Sequence, residues 1–277
     1  MLWDKYDAII LDLDGVVYIG DDAVPNAIES INAIANLVKI SAATNNASRT
    51  QSQVGKHLRE LGLKILDEDV VTSAQAGARL LASRIDKDAQ VLVVGGNGVE
   101  SAVREVGLHP IRATKDHVSN GVIANEVEGL IQGHGADTSW WDLNTAALAI
   151  SRGKVWVATN RDSTVPTPYG FGPGNGSFVQ MLENLTGVKP LVAGKPEPEL
   201  FMETIRRLNA KNALVIGDRI DTDIEGANSC GLDSLLVLTG VHQIDDIPND
   251  ATSQPTYVSK DLTVLTAKKA PDYWKRA

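Results

Sequence analysis

The sequence predicts an α/β protein, with a doubly wound, Rossmann-like parallel-sheet core and a second α/β domain inserted into it. Two patterns predict this. Four short apolar runs, each rich in β-branched residues or leucine and followed by a polar or glycine turn, alternate with stretches of helical character. A middle portion, residues 75–186, carries strand–helix units of its own, leaving residues 1–74 and 187–277 for the core.

The first run is Ala8–Leu13, whose neighbour Gly15 allows a sharp turn. Apolar residues at Ile28, Ile31, Ile34 and Leu37 predict a helix over Asn26–Leu37. Val38–Thr44 is the second run, and a helix over Ser48–Leu61 follows it with Ser48 as its cap. In the middle portion, Val91–Val94 leads into Gly95–Gly98, Lys154–Ala158 forms another strand, and the glycine and proline cluster Pro166–Gly176 reads as a long loop. Ala213–Ile216 and Ser234–Leu238 complete the core strands.

Thirty-five acids against 26 bases give a net charge of −9, with no long run of either sign. Nucleic acid and anionic membranes are therefore poor partners, because phosphate backbones are held by clustered lysine and arginine. A single cysteine, Cys230, forms no internal disulfide and offers no zinc or iron–sulfur framework, which suits a reducing, cytoplasmic home. Apolar character near the N-terminus is soon interrupted by acids, too short for a signal segment, and no stretch is long enough for a membrane span.

In a doubly wound sheet, ligands bind beyond the carboxyl ends of the strands, so polar residues following each apolar run converge. Asp12 and Asp14 follow the first, with the strand period placing both carboxylates on one side. Thr44, Asn45 and Asn46 end the second, Lys195 follows Leu191–Gly194, and Asp218, Asp221 and Asp223 follow the Ile216 strand. Carboxylates gathered in this way repel one another unless a cation neutralises them, and hard oxygen ligands suit magnesium. Magnesium and Lys195 together would form a positive site for a transferring phosphoryl group.

This ordered set resembles the haloacid dehalogenase-like hydrolase superfamily, whose four motifs match Asp12–Asp14, Thr44, Lys195 and Asp218–Asp223. The wording TNN, GKPEPELF and GDRIDTD is most similar to the NagD-like and 4-nitrophenylphosphatase-like subfamily, which inserts a large α/β cap between the second and third motifs. The resemblance implies that Asp12 is nucleophile and magnesium ligand, that Asp14 is general acid and then base and ligates magnesium through its backbone carbonyl, and that Asp218 completes the protein's ligands. It implies further that Asp223 supports them from behind, and that Thr44, Asn45, Asn46 and Lys195 hold the phosphoryl oxygens. The second aspartate of the first motif points to a phosphatase, because dehalogenases and transport ATPases usually lack it. By analogy, a large cap limits substrates to small phosphorylated metabolites: glycerol or sugar phosphates, pyridoxal phosphate or nucleotide monophosphates, besides aryl phosphates such as 4-nitrophenyl phosphate. Cap surfaces often pair subunits in similar proteins, so a homo-oligomer is compatible with it.

Other features have blander readings beside the functional ones. Asp221 either reaches metal through water or caps a helix at Ile224–Ser229, and stays outside the metal set. Gly95–Gly98 invites dinucleotide binding, but the third glycine of that fingerprint is missing, which disfavours a nicotinamide-dependent oxidoreductase. A regulatory protein that has lost turnover is disfavoured because no catalytic position is substituted. Arg161 and Asp162, after the Lys154–Ala158 strand, either select the leaving group or lie in a solvated loop, with Arg161 suited to a second anionic group. Trp140 and Trp141 read as core packing or a subunit contact rather than a stacking platform. His57, His117 and His134 show no ligand spacing, and Cys230 reads as a small buried apolar residue.

Overall fold

The structure, a computed structural model, describes residues 1–113, 122–167 and 169–269. The expectation for His117 lies outside them. In chain order the strands are β1 (Ala8–Leu11), β2 (Tyr18–Ile19), β3 (Asp22–Ala23), β4 (Lys39–Thr44), β5 (Val70–Thr72), β6 (Gln90–Val94), β7 (His109–Ile111) and β8 (Gly129–Gln132), followed by β9 (Val155–Ala158), β10 (Thr164–Thr167), β11 (Gly170–Pro173), β12 (Leu191–Val192), β13 (Ala213–Gly217), β14 (Asp233–Val237) and β15 (Tyr257–Ser259).

Two sheets organise the chain into two units. One unit comprises Met1–Thr44, Gln51–Val71 and Lys195–Ala277; the other comprises Asn45–Thr50 and Thr72–Gly194. The first unit holds a six-stranded sheet in the order β15-β14-β13-β1-β4-β5, so the chain crosses over on either side of β1. Ala8 of β1 lies opposite Ala213 and Lys39 in parallel pairings with β13 and β4. All four side chains of β1 are fully buried, as a strand covered on both faces requires. Helices supply the cover: Ile31 and Ile34 from Ala27–Ile34 and Val54 and Leu58 from Gln51–Glu60 pack into the same core as Ile9, Leu11, Leu214 and Leu235. The second unit holds a five-stranded parallel sheet, order β12-β9-β8-β6-β7, whose core joins Leu92, Leu130 and Trp156 to Ala146 and Ile150 of the helix Trp140–Ser151.

Local chemistry moves several boundaries. The helix expected from Ser48 starts at Gln51, because the amide and hydroxyl of Ser48 both donate to Asn46 Oδ1, at 2.9 and 2.8 Å, closing a turn that competes with the helix. The expected Pro166–Gly176 loop instead contains the antiparallel hairpin β10–β11 and the start of the helix Asn175–Thr186. Trp140 and Trp141 are not core residues. They open their helix edge to face at 4.8 Å, with Trp140 63% exposed, while alanines further along carry the packing. Cys230 is half-buried rather than buried. Asp221 caps nothing: Arg219 grips it through Nε at 3.1 Å and Nη2 at 2.7 Å, and the short helix Glu225–Ser229 starts without a side-chain cap.

Candidate active site

The carboxyl end of β1 sets the geometry. Asp12 leaves the strand with its amide donating to Ile216 O of β13 at 2.8 Å, and Leu13 O then accepts the amides of Val16, Val17 and Tyr18. This tight turn is possible because Gly15 sits at φ +82, and it also lets the backbone approach closely: a Cβ there would lie 2.4 Å from Asp218 Oδ2. Gly240 presses in similarly, where a Cβ would fall 2.0 Å from the same oxygen. Asp218 is therefore held between two stretches of bare backbone, and Val241 N donates to its Oδ2 at 2.7 Å.

One ligand oxygen each from Asp12, Asp218 and Asp223 lies within 4.8 Å of the others. Lys195 joins them from the first residue after β12's exit segment, donating to Asp12 Oδ1, to Asp223 Oδ1 at 2.7 Å and to Ala43 O at 3.2 Å. Asp223 Oδ2 accepts Arg219 N at 3.1 Å, and Thr44 ends β4 almost fully buried. The side chain of Asp14 is exposed and stands outside this trio; Asp223, expected behind the metal ligands, stands within it.

Three carboxylates against one ammonium leave the cluster formally short of two positive charges. The carboxyl groups register that deficit. Burial pushes each of Asp12, Asp218 and Asp223 up to about 6, with neighbouring aspartates adding to the rise and Lys195 opposing it. Burial alone would push the Lys195 ammonium down, but Asp12 and Asp223 hold it above the ordinary lysine value, so it stays charged. Asp218 Oδ1 is buried with no hydrogen-bond partner among the described residues. An unpartnered carboxylate oxygen, hard oxygen donors and a missing charge of two fit a divalent cation such as magnesium.

The remaining sequence-predicted residues belong to the second unit. Asn45 O accepts Ser73 Oγ and Asn160 Nδ2, each at 2.7 Å, and Asn45 Nδ2 donates to Asp162 Oδ1 at 3.3 Å. Asn46 is the acceptor of the Ser48 turn. Arg161 forms an ion pair with Glu183 at 2.6 Å. In the Gly95–Gly98 turn, Gly96 N donates to His134 O and Gly98 N to Ser48 O, so both amides serve backbone packing. A Cβ on Gly98 would meet Ala47 O at 2.4 Å, which accounts for that glycine sterically.

Sequence reasoning missed the segment after β14. Gly240 and Val241 shape Asp218, and Thr239 Oγ1 donates to Gly15 O at 2.6 Å, tying the β1 turn to the same segment. His242 Nδ1 accepts Ile220 N at 3.0 Å, steadying the stretch that delivers Asp223. The signal was available in the rule already used for β1, β4 and β13, since Thr239 and Gly240 also follow a strand's carboxyl end.

Known proteins resemble the chain over most of its length. Residues 9–109 match the model of the haloacid dehalogenase-like hydrolase family, and residues 192–265 match a second, HAD-hydrolase-like model. The chain is 44% identical over 262 residues to a D-glycerol 3-phosphate phosphatase of Mycobacterium tuberculosis, covering 94% of this chain and 71% of that one. It is 33% identical to an acid sugar phosphatase of Staphylococcus aureus, over 95% of this chain and 98% of the relative. Among solved structures, a Mycobacterium tuberculosis glycerol phosphate phosphatase in complex with magnesium superimposes with a TM-score of 0.85 at 43% identity, covering 94% of this chain and 77% of that one. A 4-nitrophenylphosphatase of Thermotoga maritima gives 0.84 at 26% identity over 97% and 100%.

Proposed function

The chain belongs to the haloacid dehalogenase-like hydrolase family, and on that premise we propose that it is a magnesium-dependent phosphatase hydrolysing monoesters of small phosphorylated metabolites through a phosphoaspartate on Asp12. The observation that carries this reading is the trio Asp12, Asp218 and Asp223, paired with Lys195 through Asp12 and Asp223 and short of a dication.

Asp12 attacks phosphorus in line with the ester oxygen, and the phosphorus–ester bond breaks as the Asp12–phosphorus bond forms. Protonated Asp14 donates its proton to the departing alkoxide. Asp14, now a carboxylate, takes a proton from water, whose oxygen displaces Asp12 from phosphorus and releases inorganic phosphate. Thr44, Asn45, Asn46 and Lys195 hold the phosphoryl oxygens. Asp12, Asp218 and the Asp14 backbone carbonyl would hold magnesium, which when bound supplies positive charge to the phosphoryl oxygens; Asp223 fixes Lys195 beside them.

Glycerol and sugar phosphates are the substrate class supported by the named relatives, and the Asn160–Asp162 loop of the inserted unit is the element proposed to choose the leaving group. The unbridged Cys230 fits a cytoplasmic site of action. No helix among the described residues is long and apolar enough to cross a membrane. Asp12→Asn tests the mechanism: phosphate release from 4-nitrophenyl phosphate should vanish while circular dichroism stays native, and retained turnover would overturn it.

A further inference from the structure

The peptide joining Asp14 to Gly15 carries the carbonyl assigned to magnesium, and it hinges on a glycine at φ +82, a residue whose own sterics hold the backbone only weakly. Two hydrogen bonds hold it instead. Gly15 N donates to Tyr18 O at 2.8 Å, and because the peptide is trans and planar, the Asp14 carbonyl points the opposite way from that bond. Thr239 Oγ1 donates to Gly15 O at 2.6 Å, which fixes the next peptide plane and with it the rotation at Gly15. Tyr18 reaches the turn from a few residues away, whereas Thr239 lies 224 positions on.

Thr239 is seated to act as the fixed point. It follows β14, which pairs with β13 through Leu236 opposite Gly217, and Leu238 N donates to Ser259 O at 3.0 Å, so the six-stranded sheet holds the backbone leading to it. The three residues after it grip the other side of the site. A Cβ on Gly15 would lie 3.1 Å from Gly240 Cα, Val241 N donates to Asp218 Oδ2 at 2.7 Å, and His242 N donates to Asp218 O at 3.2 Å. Four consecutive residues therefore hold the Asp14–Gly15 turn and Asp218 in one frame. Backbone makes the contacts to Asp218, but the bond to Gly15 O comes from a side chain, so substitution can remove it alone. Gly15 is buried, and a buried carbonyl deprived of a donor is costly, so the turn then rotates toward another.

We propose that Thr239 is a positioning residue for the cation: its hydroxyl fixes the Asp14 carbonyl at the spacing from Asp218 that one magnesium ion can bridge. This rests on the reading above that Asp14 and Asp218 both hold magnesium. Magnesium demands near-ideal octahedral geometry with short oxygen distances, whereas calcium accepts longer and more variable ones. A loosened turn therefore penalises magnesium more than calcium, which a bond serving only general stability would not do.

Thr239→Ala and Thr239→Ser both delete the methyl group and differ only in the hydroxyl, so their comparison isolates the hydrogen bond. Calorimetric titration of the metal-free proteins with magnesium chloride should give a Kd about tenfold to a hundredfold weaker for Thr239→Ala than for wild type, with Thr239→Ser close to wild type. Calcium chloride titrated in the same way should show a smaller loss. Hydrolysis of 4-nitrophenyl phosphate by Thr239→Ala should half-saturate at correspondingly higher magnesium and recover most of its kcat at saturating metal. Thr239→Val keeps the methyl and the volume, and it decides the matter against wild type if the two smaller variants fold poorly. Equal magnesium Kd values in folded Thr239→Ala and Thr239→Ser, or equal losses for magnesium and calcium, would overturn the proposal. A wild type that binds no magnesium and releases phosphate without it would instead sink the reading on which the proposal rests; wild-type binding beside a silent Thr239→Ala sinks the proposal alone.

Discussion

Gly240→Ala is the substitution that most directly challenges the construction of the carboxylate trio. Its added Cβ would lie 2.0 Å from Asp218 Oδ2, 2.5 Å from Cγ and 2.7 Å from Cβ, against an ordinary contact of at least 3.4 Å. Either Asp218 or the Gly240 backbone must therefore retreat by more than an ångström. Asp218 resists, being buried and tied to Val241 N at 2.7 Å, so the strain falls on the hydrogen bond and on the aim of its unpartnered Oδ1. A displacement of about 1 Å in a positioned group costs roughly a hundredfold in rate, or about 2.7 kcal/mol of transition-state stabilisation. Hydrolysis of 4-nitrophenyl phosphate, titrated with magnesium, should show kcat/KM lower by about that factor and half-saturation moved to about 10–100-fold higher metal. Gly20→Ala is the control: nothing lies within 4 Å of its Cβ, and φ is +63, so it should cost about 1 kcal/mol of stability and leave the magnesium requirement alone. A folded Gly240→Ala enzyme with wild-type kcat/KM and metal requirement would refute the role given to the bare backbone around Asp218.

In the proposed site, proton and magnesium compete for Asp12 and Asp218. Because Asp12, Asp218 and Asp223 are raised to about 6 from an ordinary 3.8, their contribution to metal-free stability is present below about pH 4 and lost as pH rises through 6. Magnesium at a hundred times its pH 7.5 Kd should therefore stabilise the protein by about 2.7 kcal/mol at pH 7.5 and by less at pH 5, read as a larger rise in Tm; equal shifts at both pH values would contradict the assignment. Glu203 behaves oppositely. Burial pushes its carboxyl up, but hydrogen bonds from Arg206 at 2.8 Å and Arg207 at 2.8 Å outweigh it and hold the group below the ordinary glutamate range. Its stabilisation is full above that range and is lost as pH falls below it, so Glu203→Gln should flatten the acid limb of a Tm–pH curve, and an unchanged limb would count against the arginine pairing.

Asp12, Thr44, Lys195, Asp218 and Asp223 were legible as candidates because parallel strands expose polar residues at a common edge, a consequence of topology rather than of local detail. Gly240 and Val241 were not, since one contributes by having no side chain and the other through a backbone amide. The β10–β11 hairpin was hidden for a related reason. Glycine and proline in that stretch carry a strong loop signal, and two short strands paired only with each other need few of the alternating apolar residues by which larger sheets are recognised. Arg161 was visible as a cation, but its partner lies 22 positions away on a helix that the sequence read as partly loop. Core packing, one of the two readings of Trp140 and Trp141, failed because large aromatics usually anchor cores, whereas here the small residues Ala146 and Ala149 bring their helix against the sheet.

The placement of β1 between β4 and β13 has a consequence for how the chain comes to be made. β13 begins about 200 residues after β1, and at about 5–20 residues per second the ribosome delivers it roughly 10–40 s later. During that interval β1, whose residues are all apolar, has an open edge that another nascent chain can pair with. The inserted unit, complete by Gly194, can condense while its host still lacks half of its sheet. Assembly thus proceeds from the inside of the sequence outward, and Asp12 acquires Lys195, Asp218 and Asp223 last.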